Sequence, residues 1–427
     1  MNRRTQTSTV VPTTHNTLAL LLVVGLTGFN VTAHSASESG TTAPTSESYP
    51  RMTIVPGGVS LGTSAGLGEA PLLPAENHGL LEDSSANDEK KEKKDGEWLI
   101  APVPSLNSAV GWMVALPVVR VYRPSWVDAE DPAWMTGIGG FYAENDSAGG
   151  GVFHKMNLGG DRWRLMGAAF GTKIYYDYYG IGADSNPNRT AVPLHQKAVG
   201  GLVEVLREVA NNFYAGFRFI GVETNVSVDL PPETIPPELL PPDYGIDLTL
   251  MNLAPRMVFD TRDNEFYPTT GKLIEGEVQV SSESLGSDLD YQRYELTWNQ
   301  YRALGARGVL AVRVAAKFAA GDAPFFVYPS FGQGADLRGY TAGTYRDRML
   351  IAGQVEYRLR LRKRLGVVAF GGVGGVGPAL GEFDTALPSA GVGLRFVVAP
   401  ENDISLRVDI AWGRDDRQVY VGIGEAF

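Results

Sequence analysis

Leu273-Ile274-Glu275-Gly276-Glu277-Val278-Gln279-Val280-Ser281-Ser282-Glu283 alternates in character residue by residue. Glu275, Glu277, Gln279, Ser281 and Glu283 share one parity, and Ile274, Gly276, Val278 and Val280 share the other. A period of two is the signature of a strand with one wet and one apolar face. The pattern returns elsewhere. Leu310, Val312, Val314, Ala316 and Phe318 oppose Arg313 and Lys317. Gln354, Glu356, Arg358, Arg360 and Arg362 alternate with Val355, Tyr357, Leu359 and Leu361. Asp403, Ser405, Arg407 and Asp409 alternate with Ile404, Leu406, Val408, Ile410 and Trp412. These runs are about 9 to 13 residues long, against about 5 or 6 for ordinary strands. Tilted strands of about 9–11 residues cross a bilayer. One face carries charges of both signs and the other almost none, as in a barrel with a wet interior and a lipid-facing exterior.

Working outward, no sustained helical periodicity occurs between Trp98 and Phe427. The fold expected is all-β, a transmembrane antiparallel β-barrel of about 16 strands, from 98–105 to 417–427. A soluble sandwich would reverse the two faces. Strand length, an export signal and the lack of cysteine favour the barrel. Short links such as Asn211-Asn212 and Ala399–Asn402 read as periplasmic turns. The Pro-rich segment from Asp229 to Tyr244 reads as an extended external loop without strand. Residues 320–346 form another long loop.

The barrel is preceded by two different segments. Arg3 and Arg4, an apolar run from Thr17 to Phe29 and small residues around Ala33 describe a secretory signal peptide over residues 1–33. Residues 34–97 are polar, and Asp88–Glu97 reads DEKKEKKDGE. Such a stretch buries too little surface to offset its ordering entropy, so a disordered periplasmic tail or linker is expected. The barrel is assigned to residues 98–427. With 37 Lys+Arg against 48 Asp+Glu, the net charge of −11 argues against nucleic-acid binding. The absence of cysteine excludes disulfides, thiolate nucleophiles, Cys-ligated metal and a lipid on an N-terminal cysteine.

Two motifs say more than barrel. One is Asp260-Thr261-Arg262-Asp263-Asn264, continuing to Pro268 and Gly271. The other is Leu337-Arg338-Gly339-Tyr340, after a Gly-rich lead-in at Gly332-Gln333-Gly334. In this order they resemble the D-x-R-D-N-P-x-x-P-T-x-G signature and the VRGF/Y loop of the BamA/TamA superfamily, the bacterial surface antigens. The resemblance covers roughly residues 98–427. It implies that the Arg338 loop folds back into the lumen and that Arg338 pairs with an acid on the inner wall. Glu356, on the polar face with Gln354 and Arg358, is the expected partner. The resemblance treats the Asp260–Gly271 segment as a structural turn.

The chain departs from the family twice. Where an F-D-x-G aspartate is usual, it reads Phe370-Gly371-Gly372-Val373-Gly374, so a second acidic partner is missing. Residues 34–97 are too short and polar for the family's periplasmic polypeptide-transport-associated modules, which makes this a barrel-only member. The aromatic last residue, Phe427, in parity with Val421 and Ile423, resembles the C-terminal recognition signal of outer-membrane barrels.

Pro102 and Pro104 suggest a weak barrel seam. Both lack an N–H, and they stand two apart, so two ladder bonds to the same neighbour are absent. If that neighbour is the last strand, the seam is labile and its edge can template an incoming strand.

No catalytic constellation is found. His154 and His195 are isolated, no Gly-x-Ser-x-Gly elbow occurs, and Gly371–Gly377 has no Lys-Ser/Thr sequel. No metal site and no cofactor are expected. The resemblance implies a protein of the bacterial outer membrane that assists insertion or translocation of proteins. Its partners would be the outer-membrane bilayer and unfolded outer-membrane or secreted clients. Accessory periplasmic partners are not identified by the sequence. The alternative is a transport channel plugged by its lumen loop.

Overall fold

The structure is a computed structural model. It describes residues 97–127, 132–182, 190–229, 235, 240–242, 244–332, 335–383, 385–399 and 403–427. The expected signal peptide and, apart from Glu97, the expected tail lie outside the described residues. So does most of the Pro-rich segment between Asp229 and Tyr244.

The strands are β1 (Glu97–Ile100), β2 (Val103–Asn107), β3 (Gly111–Tyr122), β4 (Trp134–Ala143), β5 (Ala148–Leu158) and β6 (Trp163–Tyr178). They continue with β7 (Val192–Ala210), β8 (Phe213–Val228), β9 (Asp247–Asp260), β10 (Gly271–Ser281), β11 (Tyr291–Leu304) and β12 (Gly308–Gly321). The last five are β13 (Met349–Arg362), β14 (Leu365–Gly377), β15 (Leu387–Ala399), β16 (Ile404–Trp412) and β17 (Arg417–Ile423). From β2 onward each strand pairs antiparallel with the next, and β17 returns to β2. β1 and β2 both lie along β3. They are one first strand interrupted at Ala101-Pro102, so the closed ring has 16 places. Closure satisfies the backbone in lipid, which an open sheet cannot do.

Two expected boundaries differ. The first strand is broken at Pro102, where a proline cannot donate to the ladder. The last strand ends at Ile423 instead of running to Phe427. Gly424 adopts φ +81° and its N–H donates to Ser405 O, which turns the chain out of the sheet. Phe427 is therefore not on the parity that the alternation of Val421 and Ile423 suggested.

Short links at 211–212, 305–307 and 363–364 gather at one end of the barrel, and the long links 179–191, 229–246 and 322–348 at the other. The described chain enters and leaves at the short-turn end. Along β7 and β8, Val199, Val203, Phe217 and Phe219 face outward and are exposed. The opposite parity carries a ladder of ions across the inner wall. Arg218 pairs with Glu204 (2.6 Å) and Glu277 (2.9 Å), Arg256 with Glu275 (2.7 Å), and Lys317 with Glu295 (3.2 Å).

A charge placed on the outer parity must enter lipid. Val203→Arg, near the middle of β7, is expected to destabilise the barrel by about 2–4 kcal/mol. Urea titration of the barrel in lipid vesicles measures this. An unchanged midpoint would contradict the assignment of the outer face.

Candidate functional site

The link 322–348 between β12 and β13 turns into the lumen. Two apolar clusters place it. Phe325, Phe326 and Val327 form a buried 3-10 turn packed with Tyr178, Leu194, Leu250 and Tyr291 from the inner wall. Phe331, Leu337, Tyr340 and Tyr345 pack with Leu350, Ala352, Val376 and Leu387. Burial of these side chains supplies the drive that holds the loop inside.

Arg338 lies at the loop's deepest contacts and is fully buried. Its Nη2 donates to Glu356 Oε2 (2.5 Å), its Nη1 to Asp409 Oδ2 (2.6 Å) and its Nε to Gln354 Oε1 (3.1 Å). The guanidinium also lies 3.4 Å from the centroid of the Phe370 ring. The planar fork thus meets three acceptors from β13 and β16 and one aromatic face from β14.

Glu356 is the partner expected. Asp409 was not expected: the second acid comes from β16, while Gly371 lies on the outward parity of β14, opposite the exposed Val355. Gly393 makes room for the acid, since a Cβ there would stand 2.0 Å from Asp409 Oδ1. The acids are shared. Arg358 Nε donates to Glu356 Oε1 (2.7 Å), Arg395 Nη1 to Asp409 Oδ1 (2.5 Å), and Arg395 Nε to Glu425 Oε2 (2.7 Å). Three guanidiniums alternate with three carboxylates, so no charge among these six stands alone in the lumen. Beyond Gly424, Phe427 offers its oxygen to Arg358 Nη2 (2.7 Å). The segment that the sequence suggested as the end of a strand is instead part of this network.

The backbone of the loop is held as firmly. Gly339, at φ +103°, has a conformation that a side chain would strain. Its N–H donates to Tyr420 Oη of β17 (3.0 Å), Ser389 Oγ donates to Arg338 O, and Tyr340 Oη donates to Pro388 O. Thr341 N–H donates to Asp416 Oδ2 (2.5 Å). Ala342 N–H donates to Ser108 Oγ (3.0 Å), in the turn after β2. The loop therefore touches both sides of the junction between the last and first strands.

A second anchor went unnoticed in the sequence. Asp336 accepts from Arg313 Nη2 (2.7 Å) and pairs with Lys317 Nζ (2.7 Å), both on β12. Burial works against its ionisation, but Lys317 and Arg313 outweigh it and hold the carboxyl below its usual range.

The Asp260–Gly271 segment connects β9 to β10 at the short-turn end. Asp260 pairs with Arg262 (2.8 Å). Asn264 Oδ1 accepts from the N–H of Phe266 (2.7 Å) and Tyr267 (2.9 Å). Asp263 Oδ1 accepts from the N–H of Thr269 (2.9 Å) and Thr270 (3.1 Å). Burial opposes ionisation of Asp263 too, and these bonds, led by the Thr269 hydroxyl, bring its carboxyl below the usual range. The acids are thus engaged in shaping the turn, with Pro268 buried and Gly271 starting β10. Tyr267 reaches Arg360 on β13, whose guanidinium lies 4.4 Å from its ring centroid. Among the described residues no cluster of His, Asp and Glu is arranged to hold a metal. His154 shares a hydrogen bond with Thr136 (2.8 Å), and His195 pairs with Asp229 (2.5 Å).

The model of the Omp85 superfamily domain matches residues 137–427. Comparison with curated proteins gives no match. Among solved structures, the fold resembles BamA from Haemophilus ducreyi lacking POTRA domains 1–3, with a TM-score of 0.57 and 15% identity over 78% of this chain and 70% of that one. It also resembles CdiB from Acinetobacter baumannii, with a TM-score of 0.51 and 11% identity over 77% of this chain and 60% of that one. CdiB from Escherichia coli gives a TM-score of 0.50 and 10% identity over 78% and 67%. At these identities the likeness is one of fold.

Arg338→Ala would leave Glu356 and Asp409 buried with less compensation, at a cost of about 3–5 kcal/mol. The expected result is a lower urea midpoint and new protease cleavage within 322–348. Arg338→Lys recovers only part of the loss, because an ammonium cannot serve these acceptors in one plane. A protease pattern unchanged in Arg338→Ala would show that the apolar clusters alone hold the loop.

Proposed function

Because the chain belongs to the Omp85 superfamily, we propose that it assists the insertion or translocation of proteins at the outer membrane through a seam that its lumen loop holds shut. It is a β-barrel of the bacterial outer membrane, and barrels of this family work there with protein substrates. The domain reading that goes with this proposal is a signal peptide over 1–33, a tail over 34–97 and a barrel over 98–427.

The observation that carries the proposal is the contrast between the seam and the rest of the ring. β17 and β2 share a single register pair, Val421 with Leu106, helped by Ser105 Oγ donating to Val421 O (3.1 Å). Between β7 and β8, pairing runs from Leu194–Val228 to Ala210–Phe213. Pro102 and Pro104 lie in or beside the first-strand segment at this junction, which bears on the weak-seam reading directly. The strands also shorten there. β17 has 7 residues and β16 has 9, against 19 in β7. Seven residues at about 3.3 Å each extend about 23 Å before tilt, short of a hydrocarbon core of about 30 Å. A bilayer must thin to match, which lowers the barrier to insertion beside the seam.

In this reading the work is noncovalent. The edges of β2 and β17 offer unpaired backbone groups to an incoming strand. The loop, tied to Tyr420 and Asp416 on one side and Ser108 on the other, bridges a junction whose own ladder is sparse. Displacing the loop frees both edges, and restoring the Arg338 contacts closes them. Clients are unfolded outer-membrane or secreted proteins, and neither catalytic residues nor a cofactor take part. A passive channel is the weaker reading, since the described loop residues are buried in two apolar clusters against the inner wall.

The cysteine-free chain allows a direct test. Leu106→Cys with Val421→Cys places two thiols at the one seam pair, within reach of a disulfide. The wild type in liposomes is expected to speed the folding of an added, unfolded outer-membrane barrel over empty liposomes. Oxidation of the double variant should abolish that gain and reduction should restore it. Equal acceleration by the oxidised form would overturn the seam as the working element. No acceleration by the wild type, with conductance that rises in Arg338→Ala, would support the channel.

A further inference from the structure

The wall opposite the seam carries features that the lumen machinery does not use. In the ring of strands, the point half-way round from the junction of β17 and β2 falls between β9 and β10, with β11 next to them. A groove of about 700 Å³ opens there on the outward face. Its floor follows one register row, in which Ala215 pairs with Met257, Met257 with Gly276, Gly276 with Leu296, and Leu296 with Ala316. Three small residues thus break up a wall that is otherwise built of large side chains. The next row stands higher, with Phe217, Tyr294, Phe318 and Met349 along one side. Tyr294 and Phe318 stack with centroids 6.0 Å apart. Gly276 is buried beneath the flexible side chain of Met257, whose Cε would stand 2.5 Å from a Cβ placed there. Arg256, Glu277, Glu295 and Lys317 border the groove, but their charged ends are paired inside the lumen. What the groove presents is apolar.

Cations stand below it on the same parity. Lys272 precedes Gly276 by four residues on β10, and Arg302 follows Leu296 by six on β11, so both share the outward face. Lys272 Nζ lies 5.7 Å from the Phe259 ring centroid, and Arg302 is exposed. Arg307, Lys363 and Arg364 project from the neighbouring short turns and are exposed as well. None of these five cations forms an ion pair with an acid among the described residues. The nearby acids are engaged elsewhere: Asp260 with Arg262, Asp263 with Thr269 and Thr270, and Asp403 with Arg360.

Charge and groove fit one ligand together. Four residues at about 3.3 Å each put Lys272 about 13 Å along the strand from the floor at Gly276, or about 9 Å in depth for a strand tilted near 45°. The headgroup layer of one leaflet is about 5–8 Å thick, so this step leads from headgroups into hydrocarbon. Short turns mark the periplasmic end of such barrels. We propose that this wall holds an anionic phospholipid of the periplasm-facing leaflet, its phosphate at Lys272 and Arg302 and one acyl chain in the groove floored by Gly276. An acyl chain has no backbone groups to satisfy in lipid, whereas a peptide in the same groove would. That favours a lipid over an acidic protein. The bound lipid sits on the wall farthest from the seam, where it steadies the barrel without obstructing the strands that open.

The test uses the full chain in phosphatidylethanolamine nanodiscs. These carry equal trace amounts of diazirine-acyl phosphatidylglycerol or diazirine-acyl phosphatidylethanolamine, and labelled peptides are mapped after irradiation. The glycerol probe is expected to label the peptides around Tyr294 and Phe318 more than the ethanolamine probe does. It should also label them more than the wall around Val199 and Val203. Lys272→Gln and Arg302→Gln should each lower glycerol-probe labelling by about fivefold and leave the ethanolamine probe unchanged. Gly276→Leu and Ala316→Leu fill the floor and should lower both probes. The heat-dependent shift in gel mobility shows that each variant is folded, and having two filling variants guards against one that is not. Equal labelling of the two walls, or equal labelling by the two probes, overturns the proposal. So does labelling that ignores the charge variants, or cations found to hold an acidic protein while lipid labelling stays intact.

Discussion

Arg338 is a guanidinium with no access to solvent, and the lumen is arranged around that fact. A charge so placed is tolerated only if its donors are matched and its sign balanced nearby. Glu356, Asp409 and Gln354 match the donors, and Arg358 and Arg395 in turn balance the acids. Because Glu356 sits on β13 and Asp409 on β16, the network has geometry only when the intervening strands are in register. The loop thereby reports on barrel closure, and closure in turn determines whether the loop can stay. Buried ion networks are weak sources of net stability, but removing one partner leaves an uncompensated buried charge at a cost of about 3–5 kcal/mol.

The same economy bears on the sparse junction between β17 and β2. Lipid penalises unpaired backbone groups, so a ring with one sparse junction is held by something besides its ladder. Here the additional hold comes from within. Tyr420 and Asp416 on the β17 side and Ser108 on the β2 side bind successive residues of one loop segment. Cross-links through a loop can be released one side at a time, which a continuous ladder does not allow. The remaining wall shows the opposite character. Its strands pair along their length, and the ladder from Glu204 through Glu277 stiffens the inner face.

The sequence made the barrel legible because outward positions must be apolar at every second residue, and that constraint leaves a period-two trace in each long strand. Glu356 was legible for the same reason, as an acid on the inner parity beside a loop whose motif required one. Asp409 also lay on the inner parity, yet its role depends on how strands far apart in sequence meet across the lumen, which alternation does not encode. Asp336 was hidden by its neighbour: two residues before the motif arginine, it reads as loop polarity until Arg313 and Lys317 are seen opposite it. The end of β17 misled for a definite reason. Parity continues formally through Glu425 to Phe427, but Gly424 permits a left-handed turn, and Arg395 and Arg358 offer the two residues better partners than the sheet edge does.

That last detail links the two ends of the barrel's chemistry. Had the alternation continued, β17 would have presented Glu425 on its outward parity with Val421 and Ile423, toward lipid, and could have lengthened its pairing with the first strand. Instead the chain leaves the sheet, and the broken first strand meets a shortened last one. Pro102 limits the junction from one side and Gly424 from the other. Two local backbone preferences, one removing a donor and one permitting positive φ, thus fall where the ladder of the ring is sparsest. The ionic network gains Glu425 from the second of them. The turn at Gly424 that shortens β17 therefore also brings Glu425 to Arg395, so a change that lengthened β17 would loosen the Arg395 contact as it extended the edge.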